Sequence, residues 1–234
     1  MNEEQVRLPP PDHHRDVTGG WLRPAVFGVT DGLVSNGALI IGVAASNVAT
    51  HNVVLAGVAG LAAGAFSMAT GEYVSVASQT ELTHAEIEVE KLELKRVPKA
   101  EEAELAQVYV ERGVEPALAK EVARQLSANP DEVWRVHVRE ELGVDPDDLP
   151  SAWVAAGSSF GSFTIGALVP LLPYLLGASG LLLTIVLTGI GLFAAGAAVS
   201  RFTTRNWLYA GMRQLLLGGA AAGLTYAIGS AVGA

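Results

Sequence analysis

The chain is a series of long apolar runs broken by one long polar stretch. Residues 24–46 carry a single charge, Asp31, and residues 53–79 a single charge, Glu72. Residues 151–200 carry none over fifty positions. A helix needs about 20 apolar residues to cross a bilayer core, so each of the first two runs reads as one span. The third is long enough for two, and the turn signals at Pro173, Gly177 and Gly180 divide it into helices near 153–175 and 180–200. Residues 207–232 form a fifth, with Arg213 near its start. A soluble helix keeps a polar face, and fifty uncharged residues leave none. The pattern predicts five membrane spans.

The polar stretch reads as short helices. Residues 81–96 run to a stop at Pro98. A second helix covers about 99–112 and ends at Gly113. A third starts near Pro116, a favourable first-turn residue, and ends near Asn129 and Pro130. A fourth covers about 131–142 and ends at Gly143, and Asp145 to Pro150 loop back to the membrane. Leu105, Val108, Tyr109, Leu118, Val122 and Leu126 give these helices a modest apolar face, enough for a small bundle and not for a large core. The expected fold is an all-α polytopic membrane protein with a helical insert between spans two and three. Its parts are an N-terminal segment at 1–23, spans one and two within 24–79, the insert at 80–150, and spans three to five within 151–234.

Charge sharpens that division. The insert residues 81–150 hold 18 of the 24 acids and 9 of the 15 bases, a net of −9, while the remaining 6 acids and 6 bases cancel. A neutral apolar body with an acidic insert excludes a single soluble domain, a disordered chain and a basic nucleic-acid binder. With no Cys, disulfide scaffolds and thiolate metal sites are excluded too. The first 20 residues are polar, with Pro9, Pro10 and Pro11, which does not read as a secretory signal. All bases lie in the N-terminal segment (Arg7, Arg15, Arg23), the insert, or at Arg201, Arg205 and Arg213; the connections 47–52 and 173–180 have none. The positive-inside rule then expects the N-terminus, the insert and the 201–206 loop to be cytoplasmic and the C-terminus to lie across the membrane. Small residues recur at four-residue spacing in Gly28/Gly32, Gly60/Gly64, Gly157/Gly161 and Gly219/Gly223, which suits close helix packing within one bundle or a dimer seam.

Asp31 and Glu72 are the acids within the spans. A carboxylate there usually faces a pathway or a partner, although both positions also fit hydrated sites near a membrane surface. Met68 precedes Glu72 by one helical turn and shares its face. A carboxylate and a thioether on neighbouring helices suit a borderline divalent metal; core packing is the plainer role for Met68. In the insert, Glu86, Glu90 and Glu93 share one helix face, and Glu101 and Glu104 follow the Pro98 break. A hairpin would bring these faces together with Glu141, as hard ligands for Mn²⁺, Fe²⁺ or Ca²⁺. A solvated charged face with pairs such as Glu88–Lys91 is the alternative. His137, one turn before Glu141, could share such a site. Glu81 to His84 matches the Glu-x-x-His half-site of di-iron bundles, but no second copy occurs, which disfavours an oxidase. His13, His14 and His51 have no partners at ligand spacing.

Asp31-Gly-Leu-Val-Ser-Asn36, Ala63-Gly-Ala-Phe-Ser-Met-Ala-Thr-Gly-Glu-Tyr73, the acidic insert and Pro170-Leu-Leu-Pro173, in this order, resemble the vacuolar iron transporter family over about residues 20–232. The resemblance implies a homodimer of five-span protomers with a cytoplasmic metal-binding domain. It implies export of Fe²⁺, often with Mn²⁺, from the cytosol in exchange for protons. It also implies that Asp31 and Met68 form a transmembrane metal site and that Glu90, Glu93, Glu101, Glu104 and Glu141 are ligands of the insert. Plant-type members carry methionines where His137 and Val138 stand, so His137 is the expected substitute and the metal preference is expected to shift, for instance toward Mn²⁺.

The sequence therefore points to a transporter of Fe²⁺ and Mn²⁺ working by proton antiport, in metal detoxification or storage, and not to an enzyme. Asp31, Met68 and Glu72 would line the metal and proton pathway. The expected partners are divalent ions, protons, lipid and a second copy, with no prosthetic group and no nucleic acid. Short loops suit a prokaryotic plasma membrane better than a vacuolar one. The rival is a membrane-anchored metal-binding or sensing protein that does not transport.

Overall fold

The computed structural model describes residues 20–178, 180–203 and 205–233. Arg7, Arg15, the proline run, His13 and His14 of the expected N-terminal segment lie outside these. All regular secondary structure among the described residues is helical. The chain begins with α1 (Leu22–Ala45) and α2 (Thr50–Arg96). Three shorter helices follow: α3 (Pro98–Glu111), α4 (Pro116–Leu126) and α5 (Val133–His137), the last prolonged by a π-helical turn at Val138–Leu142. The chain ends with α6 (Ala152–Leu175), α7 (Leu181–Val199) and α8 (Trp207–Val232). Helices α1, α2, α6, α7 and α8 are each long and apolar enough to cross a membrane, close to the bounds expected from the sequence.

One boundary differs. The second span and the first insert helix are a single α-helix of 47 residues, so the division drawn at 79/80 falls inside α2. Residues 72–97 contain neither Gly nor Pro, and a change from apolar to charged side chains does not stop a helix. Pro98 does, and it opens α3 at a position where its missing N–H is not needed. Gly113 and Gly143 end their helices with φ of +94° and +67°, conformations that other residues adopt at a steric cost. The start of α4 is capped by Glu115, whose carboxylate accepts from the N–H groups of Ala117 and Leu118 at 3.1 Å each.

Helix α6 packs against both α1 and α2, and backbone proximity sets its contact with α1. A Cβ at Gly32 would lie 2.3 Å from the Phe163 carbonyl oxygen, and one at Gly166 would lie 2.2 Å from that of Val29. In lipid, this close approach supplies the dispersion contacts that drive association. Ile40, Val53, Leu171 and Tyr174 fill one core between α1, α2 and α6, and Ala65, Phe163 and Ala167 fill another. Of the four small-residue pairs, Gly28/Gly32 and Gly60/Gly64 pack within the bundle, whereas Gly157/Gly161 and Gly219/Gly223 have open space beside them. The small insert core joins Leu105, Ala106 and Ala123 with Tyr109, Leu126 and Val136. Leu118, expected on the apolar face, is exposed.

The antiparallel spans sort the connections by end. The start of α1, the insert and the 200–206 loop share one end, where the Ser158 hydroxyl donates to the Trp21 carbonyl at 2.8 Å and that of Thr80 to Pro150 at 3.4 Å. The other end brings Ser46 against Gly233.

Overpacking a tight core typically costs about 1–3 kcal/mol. Gly32→Val and Gly166→Val are expected to lower the thermal midpoint of the detergent-solubilised protein by a comparable amount of stability. Gly219→Val, with open space beside it, is expected to leave the midpoint within the error of the melting curve.

Candidate metal-binding and translocation sites

Pro98 turns the chain so that the first turn of α3 returns beside the distal part of α2. Glu101 thereby faces Glu90. The end of α5 inserts His137 between them, and the π turn that follows supplies Glu141. One ligand atom each from Glu90, Glu101 and His137 lie within 4.8 Å of one another. His137 Nδ1 is 2.9 Å from Glu141 Oε1, 3.0 Å from Glu90 Oε1 and 4.0 Å from Glu101 Oε2. Glu90 and Glu101 are 7% and 5% exposed and His137 is fully buried, which is unusual for carboxylates unless paired.

The hydrogen bonding is incomplete. A single Nδ1–H can serve one of the three carboxylates, and the contact with Glu141 has hydrogen-bond geometry. Glu90 Oε1 and His137 Nε2 are buried without a hydrogen-bond partner, and such groups call for an explanation. Two carboxylate charges under 5 Å apart repel by about 3 kcal/mol at an effective dielectric of 20. A divalent cation would remove that repulsion and use the orphaned oxygen. The donor set is imidazole nitrogen with carboxylate oxygens, which suits Mn²⁺, Fe²⁺ or Zn²⁺ and not a soft monovalent metal.

The other expected ligands lie around this group. Glu93 and Glu104 are exposed, and their charges help raise the pKa of Glu101. Glu86 is exposed one turn before Glu90. Val138 is fully buried apolar core, so of the two positions next to each other only His137 offers a ligand atom. The Lys91–Glu88 ion pair forms at 2.8 Å on another face of α2, so the solvated-face reading holds for part of the helix and not for Glu90.

Burial, then the charge of Glu90, pushes the Glu101 carboxyl up, and the same two causes in the same order raise Glu141. Burial acts to lower His137, but the Glu90 carboxylate 3.0 Å from Nδ1, followed by Glu141, outweighs it and leaves its pKa raised. Folding therefore raises the proton affinity of this group, and a metal binding there would have to displace those protons.

In the spans, the polar groups find separate partners. Asp31 accepts a hydrogen bond from the Ser35 hydroxyl. Phe27, Ser35 and Leu39 are exposed and, with Asp31 between the first two, follow one another about a turn apart along α1, so Asp31 sits on an outward-facing line. Immediately after it the helix widens into a π-helical stretch, Gly32–Asn36, a form common at functional sites. Met68 is partly buried and packs against Ala65, Phe163 and Ala167. Glu72 Oε2 is paired with Arg23 Nη2 at 3.3 Å, with the carboxylate largely covered and the guanidinium exposed.

Two residues visible in the sequence, Arg23 and Asn36, take structural roles that the sequence did not assign them. Arg23 was counted for topology, and its pairing with a residue 49 positions away leaves no local signal. Asn36 is 2% exposed; its amide donates to the Ala167 carbonyl at 2.8 Å, while Oδ1 has no partner. Its signal was present, as an amide in the middle of an apolar run.

The VIT family model matches residues 22–230. The chain is 40% identical over 220 residues to a protein of Acanthamoeba castellanii named Vacuolar iron transporter, covering 91% of this chain and 78% of that one. It is 30% identical over 236 residues to Vacuolar iron transporter 1 of Arabidopsis thaliana, covering 98% and 93%. Vacuolar iron transporter 2 of Oryza sativa is 30% identical over 237 residues, covering 99% and 96%.

Two measurements follow from the raised pKa values. In the metal-free protein the stability they contribute is present below the unfolded values, near 6.5 for His137 and 4.5 for Glu101 and Glu141, and is lost as pH rises through the higher folded ones. The thermal midpoint of metal-free protein should fall as pH rises past 6.5, and His137→Gln should flatten that decline. Calorimetry with Mn²⁺ should detect proton release on binding, and Glu90→Gln should weaken binding by about tenfold or more, since even outer-shell losses cost 10–100-fold.

Proposed function

This chain belongs to the VIT family, and from that premise we propose that it is a transporter carrying Fe²⁺, and with it Mn²⁺, out of the cytosol in exchange for protons. The observation that carries this reading is the pairing of two separate carboxylate sites on one framework. One is the buried Glu90, Glu101, His137 and Glu141 cluster of the insert. The other is Asp31, on a span. An anchored sensor needs the first and has no use for the second, because an intramembrane carboxylate is expensive and tends to mark an ion path.

In this mechanism the insert faces the cytosol and gathers ions from it. Glu90, Glu101, Glu141 and His137 hold the ion, and Glu93, Glu104 and Glu86 keep the approach negative. The ion then passes to the level of the spans, where Asp31 and Met68 offer an oxygen and a thioether. Asp31 lies on an outward-facing line of α1, and a charge facing lipid would be costly. A second copy packed against that line would give Asp31 a polar path, so the working unit is a homodimer with the path between protomers. Glu72, held by Arg23, guards the insert-side end of the path. Protons supply the coupling: a carboxylate that takes a proton loses its hold on the metal, and one that loses it regains that hold.

The His137 position bears on which ion is preferred. An imidazole among carboxylates is a harder donor set than one containing thioethers. That favours Mn²⁺ over softer competitors in the insert, while Met68 leaves Fe²⁺ well served in the membrane.

Flux into proteoliposomes with an imposed pH gradient tests the proposal. Wild-type protein should accumulate Fe²⁺ and Mn²⁺, each competing with the other, and collapse of the gradient should slow uptake. Asp31→Ala and Met68→Ala should each reduce flux at least tenfold without loss of metal binding by the insert. Full flux in both variants would remove the assigned path, and binding without flux in the wild type would favour the sensor.

A further inference from the structure

The Arg23–Glu72 ion pair at the insert-side end of the spans joins two partners in very different settings. The Glu72 side chain is 12% exposed and that of Arg23 78%, and they meet through one contact, Nη2 to Oε2 at 3.3 Å. Residues 22–79 contain a single Lys or Arg, which is Arg23, and two acids, Asp31 and Glu72. Taking Asp31 and Met68 as the ion path, we propose that Arg23 is a tethered counter-cation that sets the selectivity of its entrance. It occupies the Glu72 carboxylate until a divalent ion displaces it, and monovalent cations are thereby kept out.

Glu72 stands where an arriving ion would meet it. It lies one turn from Met68 on the same face of α2, about 6 Å along the axis toward the insert, and about 27 Å before Glu90. Gly32, next to Asp31, and Gly64, one turn before Met68, both lie against Phe163. Asp31 is therefore deeper in the spans than Glu72. An ion that leaves the insert cluster for Met68 and Asp31 reaches Glu72 before either.

The guanidinium is free to leave, and the carboxylate is not. The backbone around Arg23 is fixed without its side chain: the Trp21 and Pro24 carbonyls accept from the Ser158 and Ser162 hydroxyls at 2.8 and 3.4 Å. On α2, Tyr73 packs on Trp153 of α6 with ring centroids 4.7 Å apart, which holds the turn that carries Glu72. A covered carboxylate without a cation or a donor is costly. Arg23 can therefore swing into water only when something replaces it.

Charge decides what can replace it. With Arg23 turned out, Glu72 and Asp31 sum to two negative charges, the charge of one divalent ion. At equal distance a divalent ion is attracted to Glu72 twice as strongly as a monovalent one. Na⁺ or K⁺ brings no more charge than the guanidinium, and lacks both its tether and its hydrogen bond to Glu72. Fe²⁺ or Mn²⁺ displaces Arg23, and an alkali ion does not.

Mn²⁺ binding to the full chain in detergent, followed by the electron paramagnetic resonance signal of free Mn²⁺, tests the proposal without flux. The insert cluster is silenced in every sample by E90Q/E101Q, and the protein carrying only those changes is the parent. R23Q should bind Mn²⁺ about threefold more tightly than the parent, the size expected when an ion pair with an exposed partner is removed. Replacing choline chloride with KCl at equal ionic strength should weaken Mn²⁺ binding in R23Q and leave the parent unchanged. Adding E72Q should abolish both effects. A pair that only fastens α1 to α2 would give R23Q binding equal to or weaker than the parent; that result, or R23Q insensitive to KCl, overturns the proposal. If R23Q melts below the parent, R23K decides. Parent-like affinity unmoved by KCl supports a tethered charge, and the affinity and KCl sensitivity of R23Q overturn it. Absence of Mn²⁺ uptake into proteoliposomes would count against the transporter and not against this competition, which is read from binding.

Discussion

A carboxylate removed from water must find a counter-charge, a donor or a metal, and that constraint shapes both halves of this protein. In the spans it limits the acids to two and gives each a partner: Ser35 for Asp31 and Arg23 for Glu72. In the insert it acts in the opposite sense. Three carboxylates converge on one imidazole, more negative charge than a single N–H can satisfy. The bundle thus minimises unpaired charge, while the insert concentrates it at a point where an ion can relieve it.

The same constraint explains why the insert folds around so small an apolar core. Leu105, Ala106 and Ala123 with a few neighbours hold α3 against α4. Ion pairs and the Tyr109–Glu140 and Arg112–Glu140 contacts tie α3 to the end of α5. The exposed ion pairs among these contribute little each. The deepest polar contact is the His137 cluster itself, so the site that would hold the ion is also part of what holds the insert together. A metal bound there would stabilise the fold by mass action.

The five spans were legible because fifty uncharged residues leave a soluble fold no polar face, and helix ends followed Pro and Gly. Glu90 and Glu101 were legible as candidates from spacing alone, since the Pro98 break implies a hairpin. Their separation from Glu86, Glu93 and Glu104 was not, because periodicity assigns a face to a helix and does not say which turn another helix will cover. The role of His137 depended on the same unknown. The Arg23–Glu72 pair joins residues 49 apart, and nothing local marks it. Small-residue spacing was right for Gly28/Gly32 and Gly60/Gly64 and undecided for the other two pairs, since glycine is frequent throughout these spans and only the tertiary arrangement decides which glycines meet a neighbour.

Helix α2 runs unbroken from the membrane into the insert. Met68 and Glu90 are 22 residues apart on it, about 33 Å along the axis and about 40° apart around it at 1.5 Å and 100° per residue. They therefore lie near one edge of a single stiff rod. A rod with no hinge acts as a lever: a tilt of about 5° at the membrane would carry Glu90 sideways by about 3 Å, a distance comparable to a metal–ligand bond. The geometry of the insert site and the angle of the second span are thus mechanically one variable.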